Sequence, residues 1–543
     1  MTMTTAWCPD RRLLLRLGTL GVGALAMPGA AQVLAARGFT HGVASGEPSG
    51  QSVLLWTHYV GSGAETRLTV EVSDSADFAR VTGGGSVTAS ADSDYTAKFT
   101  VTGLVAGRWY FYRFVAPDGS KSCVGRTRTL PEGALAKFTL GVFSCSNLGF
   151  GWFNAYADAA ERGDIDLAVH LGDYLYEYAP GEYPARNATI AGRDFLPTRE
   201  IVTLADYRLR YASYRADAAL QRLHQVVPMI SQWDDHELTN DAWMDGAQNH
   251  QPDTEGDWVT RKAIAMRVYR EWMPVSDANW RSYEIGSLAT IALPETRISG
   301  RMKQFDYAEL VAGGGDVAGR LAAFRDGAWQ NQQRTLMGAG QEAWLSGLLA
   351  ASARRGTQWQ VLAQQLVMGT INTPPEAARW IPADAPAYVR ARFAVGQAAA
   401  RAGLPLNLDA WDGYPAARAR LLGAAQAAGA NLVTLSGDSH NGWAFDHRHD
   451  GRAAGVEFAG NSVTSSGFEA YVPAPPADVA AALVRANPGL KWADTSKRGY
   501  MAVELTPERA TSTWRMWDSV RDPQACWSSE VRQTVRHGVN RLE

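Results

Sequence analysis

Side chains that can bind metal ions or move protons follow four apolar segments of this chain, each just after the segment ends. The four segments begin at Phe138, Leu167, Val226 and Asn431. The side chains that follow them are, in order, Cys145, then Asp173 and Tyr176, then Asp234, Asp235 and His236, and finally Asp438 and His440. Carboxylate, imidazole, thiolate and phenolate groups together are the donor set of a metal centre. The sequence therefore predicts one site assembled from four distant parts of the chain.

The apolar segments themselves are predicted to be buried β-strands, because they are short, continuous and followed by turn residues. Helical stretches lie between them, at Phe153–Arg162 and at residues 200–223. This alternation predicts an α/β domain with a largely buried sheet. Open α/β sheets bind ligands beyond the carboxyl ends of their strands, so the polar groups are expected at one edge. Gly172, just before Asp173, would let the backbone turn and another group approach closely.

Each of these residues also has an ordinary structural interpretation. A buried cysteine is most often a small apolar residue, and a Gly-Asp pair after a strand is often only a turn. Asp234 and Asp235 are able to cap a following helix. The interpretation as a metal site rests on the repetition of the arrangement at four strand ends.

The region before these strands, residues 37–131, is predicted to be a separate small β-sandwich. Short apolar or alternating runs recur there with Gly, Ser and Asp turns between them, without a helical period. The runs are Ser52–Thr57, Arg67–Val72, Tyr95–Leu104 and Trp109–Val115. The stretch Val101–Tyr112 resembles the fibronectin type III signature. A scaffold or substrate-orienting role is expected for this region.

The first 36 residues are predicted to be a twin-arginine export signal. Arg11 and Arg12 precede an uncharged stretch rich in Gly, Ala and Leu, from Leu17 to Ala36. The stretch is nearly long enough for a transmembrane helix, but its glycines and Pro28 weaken that alternative. The protein is therefore expected to be periplasmic or secreted, to use the twin-arginine export machinery, and to have no stable membrane anchor.

The composition is that of an ordinary globular protein. The chain has 543 residues, 46% hydrophobic and 20% charged, with a formal net charge of -3. That overall charge does not indicate a polyanion-binding surface. Of its four cysteines, Cys8 belongs to the signal, which leaves an odd number for an exported protein. If Cys145 binds a metal, Cys123 and Cys526 are able to pair.

The motifs at the four strand ends resemble those of the calcineurin-like metallophosphoesterases and, within them, of the PhoD-type alkaline phosphatases. The matching segments are Phe143–Asn147, Leu171–Glu177, Trp233–Glu237 and Ser436–His440, together with Gly42–Pro48, Leu55–Thr57 and Trp411–Tyr414. The resemblance covers nearly the whole chain after the signal, in order. It implies an α/β fold, with an αββα-sandwich metallophosphoesterase domain over residues 132–525. A tail of residues 526–543 is expected to form a short helix that can lie over the cleft as a lid.

The resemblance also implies roles for individual residues. The ligands that it implies for an iron(III) ion (Fe3+) are Cys145, Asp173, Tyr176 and His440. Asp173 would bridge to one or two calcium ions (Ca2+), helped by Asp235 and Asp438, with Asn240 and Asp234 as weaker candidates. His236 takes the place that contacts the phosphate, and Asn147 stands near where a side chain would touch it.

The activity expected from these features is the hydrolysis of phosphate esters. Such esters are anionic, so cations must neutralise them, and a bound metal ion also lowers the pKa of water towards neutrality. His236 is expected to donate to a phosphoryl oxygen or to protonate the leaving alkoxide. Small monoesters and diesters, with nucleic acid or phospholipid among them, stay open as substrates.

Two other classes of protein remain as alternatives. The first is a non-catalytic surface protein with a structural calcium site, which the thiol and imidazoles disfavour because calcium prefers oxygen ligands. The second is an enzyme similar to the purple acid phosphatases, with two transition metals.

Overall fold

The computed structural model describes residues 36–381, 384 and 387–543. The predicted export signal lies outside the described residues except for Ala36. Within that part of the chain, two large β-sheets face each other and helices cover their outer sides. No helix of the described part is both long and apolar enough to cross a membrane.

The elements follow each other along the chain with strands first and an alternation of strands and helices after residue 138. The strands are β1 (Gly38–Gly46), β2 (Val53–Val60), β3 (Glu65–Ser73), β4 (Val81–Ser90), β5 (Thr96–Val101), β6 (Trp109–Val115), β7 (Gly125–Arg128), β8 (Phe138–Phe143), β9 (Leu167–His170), β10 (Met229–Ser231), β11 (Ala242–Trp243), β12 (Gly246–Ala247), β13 (Arg281–Ile285), β14 (Ala289–Leu293), β15 (Trp359–Ala363), β16 (Leu432–Ser436), β17 (Gly442–His449), β18 (Arg452–Ala459), β19 (Leu490–Asp494), β20 (Arg498–Leu505), β21 (Arg509–Trp517) and β22 (Ser529–Arg536). The α-helices are Asn154–Arg162, Leu204–Arg215, Ala218–Val226, Pro252–Glu255, Trp258–Trp272, Tyr307–Val311, Val317–Asp326, Ala339–Arg354, Ala387–Arg401, Pro415–Ala428 and Pro476–Ala486.

The larger sheet carries three of the four predicted site strands at its centre. Its nine strands have the order β22-β21-β20-β8-β9-β10-β1-β2-β5. β8, β9 and β10 are parallel, with Leu140 opposite Leu167 and Met229 opposite Ala168. The smaller sheet has seven strands in the order β13-β14-β15-β16-β18-β17-β19, and β16 is parallel to both neighbours.

The two sheets share one buried core, which holds them face to face. It includes Leu140, Val169 and Ile230 from the larger sheet, and Val361 and Val433 from the smaller. These strands are buried on both faces because helices cover the outer sides, which explains their continuous apolar sequences. The predicted αββα sandwich is confirmed.

The predicted N-terminal β-sandwich is also confirmed. β1, β2 and β5 pack on the four-stranded sheet β4-β3-β6-β7, and residues such as Leu55 and Phe114 fill the space between them. β1 also pairs in parallel with β10, with Gly46 opposite Met229. One sheet of the sandwich is therefore continuous with the larger sheet that carries the site.

The prediction of a helix in the C-terminal tail is wrong. Residues 529–536 form β22, which pairs antiparallel with β21 at the edge of the larger sheet. Val531 and Val535 lie four residues apart on one face of the strand and pack at the core between the sheets. The spacing of four fits a helix as well as a strand, but β-branched residues favour the strand. The expected lid loses its basis, because the tail is held along its length as a sheet edge.

The suggested pairing of Cys123 with Cys526 is wrong as well. Cys123 is a free, exposed thiol in the sandwich. The suggestion came from an odd count of cysteines, and a count contains no information about the distance between two Cα atoms.

Candidate metal centre

The loops after β8, β9, β10 and β16 meet at one edge of the two sheets. The backbone N–H of Cys145 donates to the Gly172 carbonyl at 3.1 Å, and that of Ser146 donates to the Asp173 carbonyl at 2.8 Å. The loop after β16 joins them because Gly437 packs directly on Ser144. The carboxyl ends of strands from both sheets therefore converge, as the sequence predicts.

Two glycines are required for this convergence. A Cβ on Gly172, whose φ is 101°, would lie 2.5 Å from the Asp234 backbone nitrogen. A Cβ on Gly437 would lie 2.6 Å from the Ser144 hydroxyl. Both glycines precede a candidate ligand, so each Gly-Asp pair combines a close approach of two loops with a carboxylate at the contact.

Four candidate ligands have left-handed backbone conformations, which non-glycine residues adopt rarely. Their φ angles are 60° for Cys145, 54° for Asp173, 59° for Asp438 and 63° for His440. Such conformations persist only where the surrounding structure imposes them, and they are concentrated at functional sites. Here they turn the side chains that follow each strand into the space between the loops.

The first group of ligands consists of Cys145, Asp173 and His440, with one ligand atom of each within 4.8 Å of the others. The Tyr176 hydroxyl joins this group, at 2.9 Å from Asp173 Oδ2 and 3.2 Å from His440 Nε2. His440 Nδ1 lies 2.8 Å from the Ser466 carbonyl oxygen. This contact fixes a proton on Nδ1 and directs the free Nε2 towards the group.

The protonation of the thiol and phenol depends on a cation. Burial, followed by the Asp173 carboxylate, raises the pKa of both Cys145 and Tyr176 well above their ordinary values. Both side chains would stay protonated at neutral pH beside Asp173 alone. A metal ion reverses this, because ligand thiols and phenols lose their protons on binding.

The second group of possible ligands consists of Asp173, Asp235 and His236. His236 differs from the two acids because it forms a buried ion pair with Glu177. His236 Nδ1 lies 2.7 Å from Glu177 Oε2. Burial opposes the charge on His236, but the carboxylates of Glu177 and then Asp173 outweigh it and raise the pKa of His236 well above 6.5. A protonated imidazole is a proton donor and not a metal ligand, which favours the predicted catalytic role.

The third group consists of Asp234, Asp235 and Asp438, and a buried arginine lies between these acids. Arg297 Nε donates to Asp234, and Arg297 Nη2 lies 2.8 Å from Asp438 Oδ1. Nη1 of the same side chain lies 2.8 Å from Asp409 Oδ2. The guanidinium thus neutralises part of this group from within the protein.

Some buried carboxylate oxygens still have no hydrogen-bond partner in the described part of the chain. They are Asp173 Oδ1, Asp234 Oδ2 and Asp235 Oδ1. Leaving buried polar atoms unpaired is costly, and three such atoms belong to residues of the groups described above. The set of donors together with these oxygens fits bound cations.

The structure gives Asn147 and Asn240 other partners. Asn147 Oδ1 accepts from the Gly149 N–H at 3.0 Å, and its Nδ2 donates to the Tyr183 carbonyl at 3.3 Å. Asn240 Nδ2 donates to Gln248 Oε1 at 2.9 Å. Their roles in substrate and metal binding stay predictions.

Sequence analysis missed three charged residues of the centre. Glu177 holds His236, as described, and Glu237 accepts from the backbone N–H groups of Asp173 at 3.1 Å and Asp234 at 2.9 Å. Both glutamates end the motif segments Leu171–Glu177 and Trp233–Glu237, so the signal was present. Arg297 follows β14 and has no comparable signal, because the residues next to it in the sequence do not indicate that it is buried among acids.

An αββα sandwich with these groups at the carboxyl ends of its strands defines the metallophosphoesterase class of folds. Comparison with known proteins narrows this class. The family model of the PhoD-like phosphatases matches residues 140–514, and that of the family's N-terminal domain matches residues 25–131. The chain belongs to the PhoD-like phosphatase family, and it is a hydrolase of the phosphatase type.

Two known proteins are similar to this chain over most of its length. Alkaline phosphatase D of Bacillus subtilis (strain 168) is 30% identical over 518 residues, which are 91% of this chain and 80% of that protein. The solved structure of PhoD superposes with a TM-score of 0.76 at 28% identity, and the match covers 94% of this chain and 92% of the other.

Proposed function

We propose that this protein is an exported, metal-dependent phosphatase that acts on phosphate monoesters and also on diesters. The observation that carries the proposal is the position of Asp173, which is shared by two adjacent groups of possible ligands. Two cations that share one carboxylate can hold a phosphate ester between them. The protonated His236 belongs to the second of these groups.

The chemistry of the donors differs between the two groups, and this supports different metals. A thiol, a phenol and an imidazole accompany Asp173 in the first group, which suits iron(III), with Cys145, Tyr176 and His440 as the other ligands. Carboxylate oxygens dominate around Asp235 and Asp438, which suits calcium. Cations bound in these places would neutralise the ester and lower the pKa of a water nucleophile.

The protein's own groups then orient the ester and move a proton. Glu177 Oε2 holds Nδ1 of His236, so Nε2–H is the ring atom left to point at the substrate. This proton can stabilise a phosphoryl oxygen or pass to the leaving alkoxide. Glu177 also accepts from the Thr239 hydroxyl and from the Asn240 N–H at 2.8 Å, which fixes its own position.

The test is a metal analysis and a visible absorption spectrum of protein expressed with residues 1–36 and recovered from the exported fraction. We expect iron near one equivalent, calcium, a phenolate-to-iron band and hydrolysis of phosphate esters. Removal of calcium by a selective chelator should abolish the activity while the band remains. The His236→Ala variant should keep its metals and its band but lose most of its turnover.

Three results would contradict the proposal. A colourless protein that contains only zinc or calcium would exclude the iron assignment. Full turnover of His236→Ala would exclude the role of His236. Protein and activity that stay inside the cell despite an intact Arg11–Arg12 pair would exclude export by the twin-arginine route, and with it the periplasmic or secreted location.

A further inference from the structure

Tyr178 and Tyr183 lie next to His236, and the exposed Tyr471 follows the segment of Ser466, which holds His440; the reaction described above uses none of these three tyrosines. We call Tyr178, Tyr183 and Tyr471 the tyrosine cluster. The ring centroids of Tyr178 and His236 are 5.7 Å apart, and those of Tyr183 and His236 are 6.5 Å apart with nearly parallel planes at 12°. The ring centroids of Tyr178 and Tyr183 are 5.7 Å apart. The cluster therefore borders the imidazole that faces the leaving group.

The tyrosine cluster is accessible, unlike the other tyrosines around the centre. Tyr471 is 59% exposed, and Tyr178 and Tyr183 are half-buried. The tyrosines of the centre and its supporting helices that are almost fully buried are Tyr174, Tyr176, Tyr207, Tyr211 and Tyr214. Aromatic rings that only support a core are usually enclosed by it, whereas rings left open at the mouth of a site can contact a ligand.

The cluster is attached to the loops that carry the candidate ligands. The Tyr183 backbone carbonyl accepts from Asn147, two residues after Cys145. Tyr471 follows the segment in which Ser466 holds His440. The segments that carry the three rings are therefore tied to the loops of the candidate ligands.

We propose that the tyrosine cluster is a subsite for the alcohol part of the ester, and that it selects esters whose alcohol carries a flat ring, such as a nucleobase. The inference rests on the proposed function, because it assumes that His236 faces the leaving oxygen. The group attached to that oxygen must then lie beside the cluster. Tyrosine rings stack on flat rings through a large contact area and lose little side-chain entropy in doing so.

A pair of substrates with the same leaving oxygen separates this stacking from the chemistry. Adenosine monophosphate and ribose-5-phosphate both release a primary alkoxide, and the nucleobase is the main difference between them. For the metal-loaded protein we expect kcat/KM to favour the nucleotide by about tenfold, in the range measured for the stacking of one base on an aromatic side chain.

The variants Tyr178→Leu and Tyr471→Ala test the subsite directly. In each, the preference for the nucleotide should fall about threefold or more, and in the double variant it should approach one. Val81→Ala is the matched control, because Val81 is 50% exposed but lies in β4 of the N-terminal sandwich. That variant should retain the preference of the unmodified protein.

Equal kcat/KM for the two esters in the unmodified protein would overturn the subsite but leave the phosphatase activity in place. An equal loss on both esters in the tyrosine variants would also overturn it, because it would show that the rings only support the loops. No hydrolysis of either ester would overturn the proposed function, and the subsite with it.

Discussion

Two groups of acids lie side by side in this centre and differ in how their negative charge is balanced. Asp173 is accompanied by a thiol, a phenol and an imidazole, and its Oδ1 is buried without a hydrogen-bond partner in the described part of the chain. Asp234 and Asp438 share the guanidinium of Arg297. The first group thus depends on an added cation, whereas the second contains a cation of its own.

Within the second group, the charge of Arg297 does not affect all the acids equally. Although burial opposes it, Arg297 and then His236 lower the pKa of Asp235 to about 2. Asp438 is also next to Arg297, but burial and then Asp409 outweigh this contact and raise its pKa to about 7. One arginine is therefore too little for the whole group, since burial also raises the pKa of Asp234 well above its ordinary value despite the contact with Arg297.

The largest effect is expected when the shared carboxylate is removed. In Asp173→Asn, kcat/KM should fall by about a thousandfold or more, since a neutral amide is a poor bridge between two cations. Kinetics and metal content should be measured on the same sample. Glu342→Gln is the control, because it removes one carboxylate charge from the helix Ala339–Arg354, outside the centre, and should leave kcat/KM unchanged. Asp173→Asn activity within tenfold of the unmodified protein would show that the two groups do not share a ligand in function.

A smaller effect is expected when the internal cation is removed. In Arg297→Gln, the free energy of unfolding of the metal-free protein should fall by about 3–5 kcal/mol, the usual cost of leaving buried charges without a partner. Added calcium should restore more of this stability in the variant than it adds to the unmodified protein, because more acids are then open to it. Urea unfolding with and without calcium measures both effects.

The matched control for this experiment is Arg281→Gln. Arg281 is also buried and pairs with a carboxylate, Glu47, but it lies in β13 and contacts none of the candidate ligands named above. It should lose stability without any gain in the response to calcium. An equal calcium response in the two variants would show that Arg297 does not compete with cations for the acids.

The smallest effect is expected away from the metal centre, in the sandwich. His58 Nδ1 lies 3.3 Å from His41 Nδ1, and both rings pack on Trp272. Burial, with a smaller contribution from Arg215, lowers the pKa of His58 from 6.5 to about 4 despite an opposing backbone contact with Asp94. Unfolding therefore takes up a proton between these pH values, and stability falls as the pH drops from 6.5 towards 4.

In His58→Gln, this loss of stability on acidification should be smaller by about 2 kcal/mol. The measurement is urea unfolding at neutral pH and near pH 4, with a chelator present so that no metal contributes. His449→Gln is the control, because His449 is only half-buried, whereas His58 is almost fully buried. This variant should keep the full pH dependence. If His58→Gln also keeps it, the buried histidine pair does not set the acid stability of the sandwich.

Much of the site could be predicted because its residues directly follow apolar strands. The sequence shows that a strand such as Leu167–His170 is followed directly by Gly172 and Asp173. The carboxyl ends of parallel strands lie at the same edge of a sheet, where such folds bind their ligands. The tail was predicted wrongly because a short segment with mixed polar residues has no clear period, and its partner β21 decided its conformation. Propensity is a weak guide where pairing with a neighbouring strand is available.

The sequence by itself determined the fold class, the four strand ends, and the types of donor that meet there. These features depend on local patterns: apolar runs, glycines and the residue types that follow them. Only the tertiary structure decided that Glu177 raises the pKa of His236, that Arg297 lies among the acids, and that Tyr178 and Tyr183 lie beside the imidazole. These are contacts between residues up to 141 positions apart, and their energies come from burial and charge, which exist only once the chain has folded.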